Sequence, residues 1–511
     1  MAGARAVTAI FGPPARALRR GGAAARRQLT AAVGGPARTR AVVLLACVLA
    51  LASADTATVG ASAVELRRAL GIGNTDVGLL VTVTAVVGAV FSLPFGVLAD
   101  RVRRTWLLGF ALLTWGAAML WSATAGSFGQ LLVARLCLGA VTAAAGPVTA
   151  SLVGDWFPGA ERGRIYGFIL TGDLLGAGAG FAVTGDIAAL SWQAAFVILA
   201  LPAFVLAWLV FRLPEPARGG RGALTPEPRA GPVGGGQPGR PAPPGSAAPP
   251  AGPPPADAHE LARARGIPPD PGLARRAAAR MSFTGAVRYV LAVRTNVVLI
   301  ISSACGYYFL AGVETFGSEF VGGQYHIAQV VANLLLIVVG AGAVAGVLVS
   351  GPLSDALLRR GHLNARVMTA AVAATATVLL FIPALVTHSS LTALPYVFFA
   401  AAALAAQNPP IDAARLDIMP PWLWGRAEGI RTFLRTAAQA LAPVLFGAVS
   451  DGIFGGGTSG LRWTFAVMLL PLAASAALLY RAGRHYPSDV ATVASLLAPA
   501  AAPPRPEQSR G

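Results

Sequence analysis

Asp155-Trp156-Phe157-Pro158-Gly159-Ala160-Glu161-Arg162-Gly163-Arg164-Ile165-Tyr166-Gly167 recurs as Asp417-Ile418-Met419-Pro420-Pro421-Trp422-Leu423-Trp424-Gly425-Arg426-Ala427-Glu428-Gly429. Asp, Pro, Gly, Arg and Gly fall at identical spacing in the two copies. A second pair recurs upstream of each: Gly96-Val97-Leu98-Ala99-Asp100 and Gly351-Pro352-Leu353-Ser354-Asp355. The two pairs are offset by slightly different lengths, as an insertion produces. Matching segments in matching order make the chain a parallel tandem repeat, the architecture of transporters whose halves rock around a central site.

Around these segments lie apolar stretches of about 20 residues, the length that spans a bilayer as a helix. Twelve are read, near 41–64, 77–98, 105–125, 129–152, 163–185, 193–212, 295–319, 328–350, 365–386, 391–413, 428–449 and 462–481. The composition agrees. Hydrophobic residues make up 55% and charged residues 12%, and the mean hydropathy is +0.63. A soluble domain carries about 25% charged residues. The fold class is therefore an all-α polytopic membrane protein, twelve transmembrane helices in two six-helix bundles. All 40 basic residues counted as Lys or Arg are arginine. The absence of lysine excludes a P-loop or Schiff-base lysine. No GxSxG or HExxH motif occurs, so no catalytic residue, cofactor or metal is expected. Cys47, Cys137 and Cys305 form no CxxC and read as small hydrophobes.

Arginine position gives orientation. Eight arginines precede residue 41. Arg101, Arg103, Arg104, Arg162, Arg164, Arg359, Arg360, Arg366, Arg415 and Arg426 lie in loops on the same side, against Arg67, Arg68 and Arg462 on the other. The positive-inside rule puts both termini in the cytoplasm of a cell-membrane protein. The net charge of +18 is mostly this topology signal, so no nucleic-acid partner is expected. The forty-residue basic arm is too long for the leading region of a signal peptide. The organisation is a basic arm 1–40, a bundle 41–212, a linker 213–290, a bundle 291–482 and a tail 483–511. Seventeen of the 38 prolines lie between Pro214 and Pro271, which reads as a disordered cytoplasmic linker.

At these residues the chain resembles the major facilitator superfamily. Gly96-x-Leu98-x-Asp100-Arg101-x-Arg103-Arg104 is similar to its loop signature after the second helix, with Arg103 where glycine is usual. Leu131-x-x-x-Arg135-x-x-x-Gly139 is similar to its fourth-helix signature. Gly172 to Gly180 keeps the glycines of the fifth-helix antiporter motif and lacks its proline. Asp55, the alternation Gly176/Gly178/Gly180, Pro214-Glu215-Pro216-x-Arg218-Gly219, Asn408, Asp412 and Gly447 to Asp451 resemble the spinster-type lysolipid and sphingolipid branch. Thr142 and Thr56 depart from it, where glutamate and arginine are usual. The resemblance implies alternating access and coupling through a first-helix acid and the fourth-helix arginine.

Ionisable groups inside a bilayer cost about 2.5–3.5 kcal/mol on insertion scales, so they are functional candidates. Asp55 and Arg135 fall at like depth in the outer half of the first bundle. They form either a proton-coupling pair or a static pair that orients two helices. Asp173 is either a second proton or substrate site or a carboxylate bonded to a neighbouring hydroxyl. Glu314 is read as facing the cavity. Asp100, Arg101, Arg104, Asp155, Arg164, Asp355, Asp417, Arg426, Arg431 and Arg435 are assigned to a cytoplasmic gate. Tyr307, Tyr308, Phe309, Phe316, Phe398 and Phe399 are read either as an aromatic cavity wall for a lipophilic substrate or as ordinary core and lipid-facing rings.

The leading expectation is a monomeric secondary transporter, not an enzyme, exporting a lipophilic or amphipathic small molecule against protons. Uptake of an organic anion on Arg135, Arg431 or Arg435 is the alternative within transport. A non-transporting membrane sensor on the same scaffold is the other class.

Overall fold

The computed structural model describes residues 27–28, 30–72, 74–188, 190–219, 257–277, 281–325 and 329–497. Twelve helical segments among them are long and apolar enough to cross a membrane. In the first half they are built from α1 (Pro36–Ala61), α3 (Asn74–Arg101), α4 (Arg104–Ala123), α5 with α6 (Phe128–Thr142, Ala145–Trp156), α7 (Arg162–Ala188) and α8 (Trp192–Phe211), with a short α2 (Ala63–Leu70) after the first. In the second half they are α12 (Arg294–Tyr325), α13 (Gln329–Arg359), α14 (Ala365–Val386), α15 with α16 (Ser390–Ala406, Asn408–Ile418), α17 (Trp424–Gly452) and α18 (Gly457–Ala482). The fourth and tenth spans each break in the middle. Pro147 and Pro409 sit just past the breaks at equivalent points of the repeat, where a proline leaves one carbonyl without its helical donor. The first helix starts at Pro36, so it absorbs the end of the basic arm. Cys137 is exposed on its helix rather than buried.

The backbones of the two halves come closest where the repeated motifs put glycine. A Cβ on Gly96 would lie 2.7 Å from the Gly425 carbonyl oxygen, and one on Gly163 would lie 2.9 Å from that of Gly351. The crossings α3 on α17 and α7 on α13 are thus the same contact made twice. Small residues let backbones approach closely where no hydrophobic effect drives helices together. Both crossings lie at the arginine-rich end. Among the described residues no comparable contact joins α1 to α12, so the halves are sealed at the arginine-rich end and parted toward the other.

Part of the linker departs from the expected disorder. Residues 220–256 lie outside the described residues, but 257–277 fold. Asp257 opens α9 (Ala258–Ala264) with a capping box closed by Glu260, and Asp270 caps α10 (Pro271–Arg276). Ser282 caps α11 (Phe283–Ala292), which leads into α12. Each cap satisfies orphan helix N–H groups. The proline count concealed these signals. The helices dock on the arginine-rich end beside a tail helix α19 (Tyr486–Leu496). Residues 213–219 fold back as well, with Glu215 accepting from the Thr105 amide and hydroxyl at 2.9 Å.

His259 is the buried anchor of α9, with Nε2 2.8 Å from the Asp417 carbonyl. Burial pushes its imidazole below the ordinary 6.5, the Asp417 and Asp257 carboxylates oppose that shift, and the Arg162 guanidinium adds to it. The undocked state therefore binds more protons. Docking is complete above 6.5 and weakens as pH falls through the lowered value. The protection factors of the α9 amides, taken relative to the intrinsic exchange rate at each pH, are expected to fall on acidification below 6.5. His259→Gln, which keeps an N–H donor, is expected to flatten that dependence. An identical pH response in the variant refutes the assignment.

Candidate functional site

A cavity of about 300 Å³ lies between the halves, above the sealed end. Its charged lining is balanced. Asp55, Asp173, Asp412 and Glu428 face Arg135, Arg415, Arg431 and Arg435. Helix packing brings them there. Gly172, Gly176 and Gly180 of α7 sit against the backbone of Ala46, Ala50 and Ala54, which draws Asp173 toward α1 and within hydrogen-bond reach of Ser53. Gly139 packs on Thr84 of α3 in the same way, and this sets Arg135 beside α1. Arg135 donates to Asp55 at 2.6 Å, both side chains fully buried. The pair expected from the sequence is formed.

The floor of the cavity is a four-charge network in the second half. Arg431 lies 2.6 Å from Asp412 and 3.2 Å from Glu428, and it donates to Ser303 of α12 at 3.0 Å. Arg415 pairs with Glu428 and lies 3.8 Å from Asp412. Two arginines and two carboxylates bind α12, α16 and α17 into one block. Arg435, one turn beyond Arg431, pairs with no carboxylate among the described residues. Its guanidinium stacks 4.2 Å from the Tyr307 ring centroid, a cation–π contact. Its Nε, the Tyr166 hydroxyl and the Thr149 hydroxyl line the cavity without a hydrogen-bond partner among the described residues. Buried polar groups are normally satisfied. Here unsatisfied donors converge on one space.

Beneath the floor the gate aspartates divide into two kinds. Asp100 accepts from the Gly425 and Arg426 amides at 2.8 and 3.0 Å and from the Arg426 guanidinium at 2.9 Å. Asp355 accepts from the Gly163 and Arg164 amides at 3.2 and 2.7 Å. Each carboxylate thus caps the first turn of a helix in the opposite half, where free N–H groups and the macrodipole favour an anion. Asp155 pairs with Arg104 inside its own half, whereas Asp417 pairs with Arg366 of its own half and lies 3.7 Å from Arg162 of the other.

The profile of the Major Facilitator Superfamily matches residues 45–403. The chain belongs to the Major Facilitator Superfamily. It is similar to the probable L-galactonate transporter of Escherichia coli (strain K12), 26% identical over 175 residues, which are 33% of this chain and 38% of that protein. It is also similar to the 4-hydroxybenzoate transporter PcaK of Pseudomonas putida, 34% identical over 182 residues, 35% of this chain and 40% of that one. The matches thus span about two fifths of these relatives. In fold it is similar to a bacterial homolog of the human lysosomal transporter Spinster, with TM-score 0.53, 18% identity and coverage of 89% and 98%.

Several residues of this superfamily member sit away from their expected places. Arg431 and Arg435 line the cavity, not the gate, because α17 begins at Trp424 and carries both past the seal. Arg101 is exposed and forms no ion pair among the described residues. Arg164 serves the gate through its backbone amide, while its side chain lies 3.2 Å from Glu161. Glu314 is exposed and outside the cavity lining. Of the aromatic candidates only Tyr307 reaches the cavity. Phe309 and Phe316 pack with Phe446 inside the second half. Glu428 and Tyr166 were missed. They occupy equivalent positions of the quoted repeat, three residues past Gly425 and Gly163, so comparing the copies position by position was the available signal.

Removing one partner of a buried pair costs about 3–5 kcal/mol, because the other charge is left alone. Glu428→Gln is expected to lower the midpoint of thermal unfolding in detergent sharply. Arg415→Gln added to it is expected to restore part of the loss. Strictly additive effects in that double-mutant cycle refute a coupled floor.

Proposed function

We propose that the protein is a proton-coupled, alternating-access transporter of a small hydroxylated organic carboxylate. The observation that carries the reading is Arg435. It is the one cavity arginine that makes no direct ion pair among the described residues, and it lies against Tyr307 in a cavity that Tyr166 and Thr149 also line. A carboxylate of the solute would supply Arg435 with the direct ion-pair partner it lacks among the described residues. Hydroxyls of the same molecule would then meet Tyr166, Thr149 and the floor. The two relatives are a probable L-galactonate transporter and a 4-hydroxybenzoate transporter, and both of those solutes are hydroxylated carboxylates, which supports the class. A cavity of this volume suits a compact solute. The packing of Phe309 and Phe316 away from it argues against the lipophilic export expected first.

Coupling is assigned to Asp55 and Arg135. The closed end leaves this pair on the side where the halves part. Protonation of Asp55 frees Arg135, and a carboxylate that alternates between arginine and solvent changes its proton affinity with access. The static-pair alternative predicts no such link. In this reading the arginine-rich end is cytoplasmic, and the state seen opens away from the cytoplasm.

The test uses purified protein in proteoliposomes under an imposed pH gradient, offered a sugar acid, 4-hydroxybenzoate and a lysolipid. Accumulation of a carboxylate is expected. Arg435→Gln is expected to raise KM about 10–100-fold, the equivalent of losing a charge-assisted hydrogen bond of about 1.5–3 kcal/mol. Asp55→Asn is expected to keep carboxylate exchange and lose gradient-driven accumulation. Transport of the lysolipid with neither carboxylate refutes the substrate class.

A further inference from the structure

The two ends of the linker seat on equivalent residues. Asp155 and Asp417 open the two copies of the quoted repeat. Asp155 accepts from the Gly219 amide at 2.8 Å. On the same side, Glu215 lies 2.9 Å from Arg104, and Arg218 donates to the Ala99 and Val102 carbonyls at 3.2 and 2.7 Å. Asp417 carries the other end, through His259 on its carbonyl and through the Tyr486 hydroxyl, 2.7 Å from its carboxylate. The same carboxylate holds Arg366, and Arg366 also donates to the Gly159 carbonyl of the first half.

The segment 257–277 is carried by the second half. Arg263 donates to Ala494 at 2.8 Å, Thr492 accepts from the Asp270 amide at 2.8 Å, and Arg265 donates to Gly361. Yet its first residue reaches across. A Cβ on Gly159 of the first half would lie 3.1 Å from the Asp257 Cβ. The Asp257 charge also acts on Arg162 of the first half, which itself lies 3.7 Å from Asp417. So α9 bridges the closed seam at the loop 158–162, where Arg359 and Arg366 already grip.

We propose that α9, buttressed by the tail helix α19, is a latch on the closed arginine-rich end, and that this end parts only after Asp257 leaves Gly159 and Arg162. The linker is then part of the gate rather than a passive tether. The latch adds a two-state element whose release sets the closed-to-open equilibrium. Its seat on Asp417 makes it sensitive to anything that binds or modifies 257–277 or the tail.

The experiment reads conformation without substrate, so it is independent of the substrate class. Spin labels are placed on Arg101→Cys and Arg360→Cys in a full-length background free of Cys47, Cys137 and Cys305. Both positions are exposed, one in each half. Distances are measured by double electron–electron resonance in nanodiscs. Asp257→Asn keeps an N-cap and removes the charge facing Arg162. Combined with His259→Leu it is expected to raise the population with the halves apart at least tenfold. An unchanged distribution in a variant that remains monodisperse and twelve-helical overturns the proposal. Should that variant fail to fold, Gly159→Cys with Asp257→Cys gives the second test, since the spacing is near that of a disulfide. Oxidation is expected to abolish opening and reductant to restore it. Opening that persists in the oxidised protein shows α9 travelling with the first half, which also overturns the proposal.

Discussion

The closed end depends on two carboxylates that cap helices they do not belong to. Asp100 takes the first-turn amides of α17, and Asp355 takes those of α7. Neither cap forms unless the backbones are nearly in contact, and neither contact is possible with a side chain at Gly96 or Gly351. Glycine and aspartate four residues apart are therefore one device. Glycine admits the opposite helix, and aspartate one turn on satisfies the amides it brings. The device exists twice because the chain is a repeat, and the halves close like the two jaws of a symmetric clamp. A charge-assisted bond of this kind contributes about 1.5–3 kcal/mol. Two sets are enough to bias the end shut yet small enough for ligand binding to overcome.

The cavity above obeys a different constraint. An uncompensated charge at membrane depth is costly, so most of the cavity charges come in pairs. Asp55 with Arg135 serves the first half. The block of Asp412, Arg415, Glu428 and Arg431 serves the second. The pairs stand on different helices, so each also fixes helix positions. A substrate that competes for one member changes packing as well as charge. Arg435 stands apart from these pairs and is stabilised instead by the face of Tyr307.

Much of this was legible in the residues. The two motif pairs, twelve apolar stretches and arginine asymmetry gave the architecture. The depth of Asp55 and Arg135, counted along their helices, gave their pairing. Depth counting failed for Arg431 and Arg435, because the start of the eleventh span was set by hydropathy, and Trp424 to Glu428 are helical despite their polar members. Glu428 escaped for the same reason. In a composition-based view an acid beside two arginines at a span boundary looks like a loop. The linker failed for a physical reason too. Proline content measures the average tendency of a segment, whereas Asp257-x-x-Glu260 and Asp270-Pro271 are local caps that need only a few residues and a surface to dock on.

The repeat also explains why the site is polar in one direction. Asp173 and Arg435 lie ten residues past Gly163 and Gly425 respectively, so they are equivalents, and both line the cavity. A strictly symmetric repeat would set two like charges across it, and like charges at close range in a low dielectric repel strongly. Divergence to opposite signs removes that repulsion and gives the cavity an acidic side on α7 and a basic side on α17. The same comparison holds two turns nearer the gate, where Tyr166 is the equivalent of Glu428. The gate, which must close, keeps the symmetry of the repeat. The cavity has lost it at equivalent positions, with Asp173 against Arg435 and Tyr166 against Glu428.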